Sequence, residues 1–291
     1  FQGALYRGVF EKRDVVWILL SCVIPDVPWI LQRAAYALAP GLDVYLLRSY
    51  AIVQASLLGG LVLSGAIALF ARRPGRVGAI LSVNVLLHLI LDALQTKWGN
   101  GVHFLAPFSW ETVNAGLFWP EHLLTYALTA AGLIFLFAYG RTCFEEPPDL
   151  RLPRLGRAAG AGLLVTLYFA GPLLLLDGPV EADAHSLAVL SEARSRTGEA
   201  VAIDRAQLRG TDEGPVLRYF GGSEQVSVEG LEVSAPATVS VRGVFADATT
   251  VRVLDHHVHG EGVRDYFSYV GLGLIFMLWM GAWIRATLAR R

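Results

Sequence analysis

Residues 86–95 read LLHLILDALQ, an apolar run that holds one imidazole, His88, and one carboxylate, Asp92. Four residues is just over one turn of an α-helix, so both side chains leave the same helix face. Ionisable groups within a membrane helix normally face the interior of the helix bundle and mark a functional site. The fold therefore depends on whether this helix crosses a membrane.

The composition predicts that it does. Hydrophobic residues make up 54% of the 291 residues and charged residues 17%, and the mean hydropathy is +0.48. The chain is too apolar for an ordinary soluble domain, and its apolar residues come in blocks long enough to span a bilayer. None of the blocks has the pattern of a cleavable signal peptide. We predict an α-helical polytopic membrane protein with about six transmembrane helices, at residues 15–37, 49–71, 77–97, 119–140, 158–177 and 266–286.

The positions of Lys and Arg predict the orientation. Thirteen of these residues fall in segments on one side, at 7–13, 72–76, 141–157 and 285–291, and three fall in the short connections on the other side, Arg33, Arg48 and Lys97. The positive-inside rule then places both termini in the cytoplasm. We expect a membrane domain with five spans at 1–178, an extracytoplasmic domain at 179–262, and the sixth span with a cytoplasmic tail at 263–291.

The predicted extracytoplasmic domain is acidic and rich in strand signals. It holds seven Arg against 13 Asp and Glu, a net charge of −6, which argues against a nucleic-acid partner. From Ala200 onwards, β-branched runs alternate with turns of Gly and Pro. We expect a small β-rich barrel of the OB kind, inserted between spans five and six, and a helix at 180–197 that leads into it. The predicted strand segments are 200–203, 225–228, 238–243 and 250–253.

All seven histidines fall in the outer half of the membrane or outside it in this topology. Three of them lie in residues 255–261, which read DHHVHGE. In a β-strand, His257 and His259 share one face and His256 points to the other. These histidines are either ligands that face the membrane site or exposed residues at the membrane interface.

Residues 86–95 belong to a longer sequence motif. It comprises Pro25-Asp26, His88, Asp92, Gln95, Trp98-Gly99 and residues 106–109, which read APFS. This motif resembles the signature of the bacterial and archaeal membrane-bound metal-dependent hydrolases, also described as LexA-binding inner-membrane hydrolases. The His-x-x-x-Asp-x-x-Gln spacing is also similar to part of the zinc site of bacterial phospholipase C and of the fungal zinc nucleases. The resemblance covers about residues 15–140 and implies a metal-dependent hydrolase.

The chain departs from that family at two places. The family carries a His-Arg pair and a Thr-His-Ser sequence between its Pro-Asp and its His-x-x-x-Asp, where this chain reads LRSY at 47–50 and VQAS at 53–56. Because both family histidines are missing, replacement ligands would come from His103, Glu121 or His122. The alternative is an inactive relative that binds or assembles other molecules.

Nitrogen and oxygen donors from the middle to the outer ends of the spans predict one metal site. Imidazole together with carboxylate suits Zn, Mn or Fe, and we expect a divalent transition metal, Zn. The predicted metal ligands are Asp26, His88, Asp92, His103 and His122. The predicted catalytic residues are Asp26, His88, Asp92, Gln95 and Glu121.

These residues also have structural interpretations. A hydrogen-bonded pair of His88 and Asp92 would lock neighbouring helices together. Asp26 would cap a helix that begins after Pro25. Glu121 follows a proline, where a carboxylate complements the dipole of a first helical turn.

The predicted function follows from the depth of the site. A metal there would lower the pKa of bound water to about 7 and polarise a phosphoryl or acyl oxygen. The sequence therefore predicts a membrane-embedded hydrolase that acts at the outer leaflet on a phospholipid or another lipid-phosphate ester. Its partners would be membrane lipid and an extracytoplasmic protein. The alternative is a non-enzymatic membrane binding or assembly protein, and a transporter has the least support because no inverted repeat is visible.

Overall fold

The computed structural model describes residues 11–39, 41–141, 145, 150–151, 153–260 and 263–288. Helices precede and follow a β part in the chain, and the β part lies between residues 200 and 259. Within the described residues, four helical stretches are long and apolar enough to cross a membrane: Val15–Leu38, Pro74–Leu94, Leu155–Leu174 and Ser268–Arg285. The architecture of apolar helices with a β-rich insertion agrees with the sequence, and the number of six spans stays a prediction.

The first stretch consists of two helices, α1 (Val15–Ser21) and α2 (Val27–Leu38). A 3₁₀ turn that contains Pro25 separates them, because Pro25 and Pro28 lack the backbone donors that a continuous helix needs. Asp26 is the residue before α2, but its side chain makes no capping hydrogen bond. The capping role considered for Asp26 is therefore wrong.

The second predicted span is bent. Helices α3 (Val44–Gln54) and α4 (Leu57–Ala68) meet at 66°. Ser56 lies at the break, where its Oγ accepts a hydrogen bond from the Gly59 amide (3.2 Å) and donates one to the Val53 carbonyl (2.8 Å). Such a cap satisfies an amide at the start of the new helix. If the bent pair is one span, the number of candidate spans in the described residues rises to five.

Residues 86–94 lie in α5 (Pro74–Leu94), a single helix of 21 residues, and Gln95 is the residue that follows it. It is followed by α6 (Leu123–Tyr139), which is apolar but has only 17 residues, and by α7 (Leu155–Ala170). Proline begins α5 at a position where the missing amide hydrogen costs nothing.

Two short helices, α8 (Asp177–Glu181) and α9 (Leu187–Ser191), lead from α7 to the β part. The single helix expected at 180–197 is therefore wrong. The backbone turns at Asp183, which has φ 46°, and its carboxylate accepts hydrogen bonds from two amides of α9 (2.8 and 3.2 Å). After the β part, the chain continues in α10 (Val263–Leu288).

The β part is a closed barrel. Its strands are β1 (Ala200–Thr211), β2 (Gly214–Tyr219), β3 (Glu224–Glu229), β4 (Ala237–Phe245) and β5 (Thr250–His259). They hydrogen-bond in the order β1-β2-β3-β5-β4, with β4 pairing back to β1. The β3–β5 pair is parallel and the other pairs are antiparallel. The four predicted strand segments are confirmed. Strand β2 was not predicted, because its first residues, Gly-Pro, are typical of a turn.

The barrel has an apolar core of its own. Alternate residues along each strand point inward, and Leu208, Leu217, Val239 and Phe245 are among the most deeply buried side chains of the molecule. Leu190 of α9 belongs to the same core, and Tyr45 of α3 packs against it, so the helices close one side of the barrel core.

The connection between α5 and α6, residues 95–122, contacts the barrel. The Trp98 ring lies 4.5 Å from the guanidinium carbon of Arg242 on β4. The Asn100 side chain donates a hydrogen bond to Asp204 Oδ2 on β1 (3.1 Å). This connection therefore carries its polar side chains to the barrel wall.

Candidate metal centre

Three side chains of the types that bind metals meet where the α5–α6 connection touches the barrel. Glu121, His257 and His259 each offer one ligand atom, and these atoms lie within 4.8 Å of one another. His259 Nδ1 is 2.7 Å from Glu121 Oε1, and His257 Nε2 is 3.7 Å from Glu121 Oε2. Among the described residues, no other group of three or more His, Cys, Asp or Glu side chains has this geometry.

Distant parts of the chain build this cluster. His257 and His259 lie on β5, where the alternation of a strand puts both on one face, as the sequence predicted. Glu121 lies two residues before the start of α6. The Trp119 ring stacks on the His257 imidazole, with centroids 3.7 Å apart and planes inclined by 2°. The cluster thus joins the start of α6 to the last strand of the barrel.

The second nitrogen of His259 is held by the barrel wall. His259 Nε2 lies 2.7 Å from Ser240 Oγ, and that oxygen lies 2.8 Å from Asp204 Oδ1. His259 Nδ1 is therefore the ring nitrogen that faces Glu121. A carboxylate that supports the far nitrogen of a histidine is the usual way to orient a metal ligand.

The order Ser240, His259, Glu121 is also the order of a nucleophile, its base and an orienting acid. Ser240, however, is 0% exposed. Because a nucleophile must reach a substrate atom, we assign Ser240 to the positioning of His259.

A cation competes for the carboxylate. Arg205 Nη1 lies 2.9 Å from Glu121 Oε1 and 3.3 Å from His259 Nδ1. Burial raises the pKa of Glu121, but the contact with His259 and the charge of Arg205 outweigh burial and lower that pKa. Glu121 is therefore an anion at neutral pH.

The two histidines are neutral at that pH. Burial lowers the pKa of His259 and of His257, and the opposing charge of Glu121 does not restore either value. Neutral imidazole is the form that binds a metal.

Two buried atoms of the cluster have no hydrogen-bond partner in the described part of the chain, Glu121 Oε2 and His257 Nε2. Buried polar atoms are normally bonded. Ligand atoms of a tetrahedral zinc lie about 3.3 Å apart when each bond is about 2.0 Å long. Small side-chain movements would bring these two atoms and His259 Nδ1 to that spacing, so the residues fit a divalent metal.

His88 and Asp92, from the stretch 86–95, form a second polar group with Asp26. His88 Nε2 lies 3.8 Å from Asp26 Oδ1 and 3.8 Å from Asp92 Oδ2. His88 Nδ1 faces the Cys22 carbonyl at 3.1 Å, and Lys97 Nζ lies 3.0 Å from Asp92 Oδ1. The structure thus brings together three predicted site residues. His88 and Asp92 belong to the same helix, so the contacts that join α5 to another segment are those of His88 with Asp26 and with the Cys22 carbonyl.

The remaining predicted residues have other surroundings. His122 is exposed and caps α6, since its Nδ1 accepts a hydrogen bond from the Leu124 amide (3.2 Å). His103 is buried and its Nδ1 donates to the Trp110 carbonyl (3.0 Å). Gln95 Oε1 is buried with no hydrogen-bond partner among the described residues.

Sequence reasoning placed Glu121 in the site and left His257 and His259 open as ligands, but it did not join them. The available signal was the His-x-His pair, which puts two nitrogen donors on one face of a strand. Which connection covers that face depends on long-range packing.

No protein-family model, no curated protein and no solved structure matches this chain.

Proposed function

We propose that this protein is a membrane-bound metal-dependent hydrolase whose metal is held by Glu121, His257 and His259. One observation carries the proposal: three ligand atoms converge within 4.8 Å, and two of them have no hydrogen-bond partner among the described residues. Two histidines and one glutamate are the ligand set of several zinc hydrolases. A bound zinc would polarise a phosphoryl or acyl oxygen and lower the pKa of water.

The groups around the cluster have roles in this proposal. Arg205 contacts Glu121 in the structure. When Glu121 binds a metal, Arg205 would lie beside that metal and pair with an anionic oxygen of the substrate, an interaction that guanidinium groups make well. Trp119 covers one face of His257 and keeps water from it.

We also propose that the cluster lies at the outer leaflet of a prokaryotic inner membrane, with both termini in the cytoplasm. The distribution of Lys and Arg supports this orientation. Glu121 lies just before α6 and His259 shortly before α10, so the ligands lie at the ends of two apolar helices. A substrate at that depth is the headgroup linkage of a phospholipid or another lipid-phosphate ester.

The barrel is proposed to be of the OB kind. Five closed strands and the parallel β3–β5 pair support this assignment. Barrels of this kind bind ligands on the face of strands two and three. An extracytoplasmic protein is the partner that we propose for that face.

Metal content tests the site. Protein purified without chelator is expected to contain close to one equivalent of zinc, and His257→Ala or His259→Ala should lose most of it. His256→Ala is the matched control, because His256 is exposed on the same strand. His88→Ala separates this site from the one implied by the family resemblance. Loss of metal in His88→Ala but not in His259→Ala would move the site to α5, and wild-type protein free of metal after growth with Zn, Mn or Fe would reject both.

Activity and topology are tested separately. Metal-dependent turnover is measured on phospholipids, lipid phosphates and acyl esters in liposomes, and a lack of turnover on all three argues against a hydrolase. A reporter fused after Arg291 should be cytoplasmic, and one inserted at Gly221-Gly222 should be extracytoplasmic. The opposite result at either point would remove the outer-leaflet assignment.

A second candidate is a non-enzymatic membrane binding or assembly protein. The contact between Arg205 and Glu121 favours this candidate, because the Glu121 carboxylate is already paired with a cation. The polar network through His259 would then fasten the barrel to the helices. Metal-free protein that retains an extracytoplasmic partner through the barrel would select this candidate.

A further inference from the structure

A second junction, between α3 and the turn that precedes α9, holds a positive charge without a paired carboxylate. Arg48 on α3 donates a hydrogen bond from Nη2 to His185 Nδ1 (3.0 Å), close to the start of α9. Arg48 Nη1 donates to Gln32 Oε1 (3.3 Å), and the guanidinium carbon lies 4.6 Å from the centre of the Trp29 ring. No Asp or Glu in the described residues forms an ion pair with Arg48. A partly buried cation of this kind needs an anion.

The carboxylate that acts on Arg48 from a distance is Asp204. Asp204 is already bonded to Ser240 and to Asn100. It therefore belongs to the metal-centre network and does not neutralise the second junction.

A second histidine completes this junction. The rings of His103 and His185 have centroids 5.4 Å apart, and the two residues are 3% and 4% exposed. Burial lowers the pKa of His103, and burial with the charge of Arg48 lowers the pKa of His185 much further. Both rings are therefore neutral at neutral pH.

The hydrogen-bond partners fix which nitrogen carries the proton in each ring. Arg48 can only donate, so His185 Nδ1 accepts and His185 Nε2 carries the hydrogen. The Trp110 carbonyl can only accept, so His103 Nδ1 carries the hydrogen and His103 Nε2 is a bare acceptor.

The buried polar atoms of this junction that lack a partner indicate the chemistry of a ligand. Neither Nε2 atom has a partner with good hydrogen-bond geometry in the described part of the chain, and neither does the buried Nε of Arg48. The Gly101 backbone lies near His185 and opposes the lowering of its pKa. The junction thus offers two N–H donors, one acceptor and one positive charge. A ligand that satisfies all of them is an oxyanion that also carries a hydroxyl hydrogen.

We propose that Arg48, His103 and His185 bind a phosphate monoester in its singly protonated form. Its charged oxygens accept from Arg48 Nε and His185 Nε2, and its P–OH group donates to His103 Nε2. A phosphate diester or a carboxylate has no such hydrogen, so it would leave His103 without a donor. The second pKa of a phosphate monoester is near 6, and a site with low solvent exposure favours the form with the smaller charge.

An apolar pocket indicates a lipid as the source of the phosphate. Its walls come from α3, α4, α7 and residues 106–110. Trp110 lines this pocket and also binds His103 through its carbonyl. A pocket with mainly apolar walls beside an anion site suits an acyl chain attached to the phosphate. This binding needs no metal and does not rest on the proposed hydrolysis.

Calorimetric titration of the detergent-purified full chain, with chelator present to prevent turnover, tests the proposal. The probes are dihexanoyl phosphatidic acid, which is a monoester, dihexanoyl phosphatidylglycerol, which is a diester, and inorganic phosphate. Saturable binding of the monoester is expected, about tenfold or more tighter than binding of the diester. Arg48→Gln should weaken it by a similar factor, and Arg157→Gln, which removes an exposed arginine, should not.

Two variants of His103 keep the test decisive if Arg48→Gln does not fold. His103→Leu removes the acceptor and should weaken binding of the monoester, whereas His103→Gln keeps an acceptor and should retain more of it. Equal binding of monoester and diester, no effect of His103→Leu, or no binding of any probe would overturn the proposal. Inorganic phosphate that binds as tightly as the lipid, with the same sensitivity to Arg48 and His103, would support the phosphate site and assign it to a soluble ligand.

Discussion

The imidazole of His185 is buried beside the Arg48 guanidinium, so a proton on this ring places two positive charges together. The folded-state pKa therefore lies well below the ordinary value of 6.5. Below pH 6.5, the unfolded chain binds more protons at this residue than the folded chain does. The stability contributed by neutral His185 is thus complete above pH 6.5 and is lost as the pH falls.

We expect His185→Gln to reduce the loss of stability between pH 6.5 and about 5. Glutamine keeps an acceptor for Arg48 but has no proton to gain. The apparent melting temperature of the purified protein, followed across this pH range, measures the effect. Equal slopes for wild type and His185→Gln would contradict this role of His185.

At the scale of single elements, the bend between α3 and α4 depends on one hydroxyl. Ser56→Ala removes the cap at the start of α4 and should lower the free energy of unfolding by about 1 kcal/mol. Thr129→Ala on α6 is the control, because its exposed hydroxyl only bonds a carbonyl of its own helix. Thermal unfolding of both variants provides the measurement, and an equal effect of the two would mean that the cap does not hold the bend.

Local patterns determined which elements could be predicted. The apolar run of α5 and the alternation of β5 are properties of consecutive residues, so both were predictable. The break at Ser56 was not, because a serine inside an apolar block also occurs in unbroken helices. The approach of Glu121 to His259, and that of Arg48 to His185, arise from packing between distant segments, and neither is visible in the sequence.

At the scale of the whole molecule, a glycine permits the helices and the barrel to come together. Gly99 has φ +63°, and a Cβ added there would overlap the Ala202 carbonyl on β1. Gly116 has φ +60°, but no atom lies closer than 3.9 Å to its added Cβ. The two positions thus have the same backbone cost and differ in the contact with the barrel.

Gly116→Ala should cost about 1–2 kcal/mol from the backbone alone. Gly99→Ala should cost clearly more and should expose the junction to protease, because the connection must move away from β1. Melting temperature and limited proteolysis of the two purified variants measure this difference. Equal behaviour of the two variants would show that docking does not depend on the close approach at Gly99.

The ligands of the metal cluster lie close to the ends of two helices. Only three residues lie between His259 and Val263, the first residue of α10, and Glu121 lies two residues before Leu123, the first residue of α6. Helices in a bilayer change their tilt when the hydrocarbon thickness changes. The separation between carboxylate and imidazole would then follow the acyl-chain length of the surrounding lipid. Zinc affinity measured in nanodiscs should therefore be highest at one acyl-chain length and weaker in thinner and thicker bilayers. An affinity that is constant across lipids would mean that the barrel holds the two helix ends rigidly.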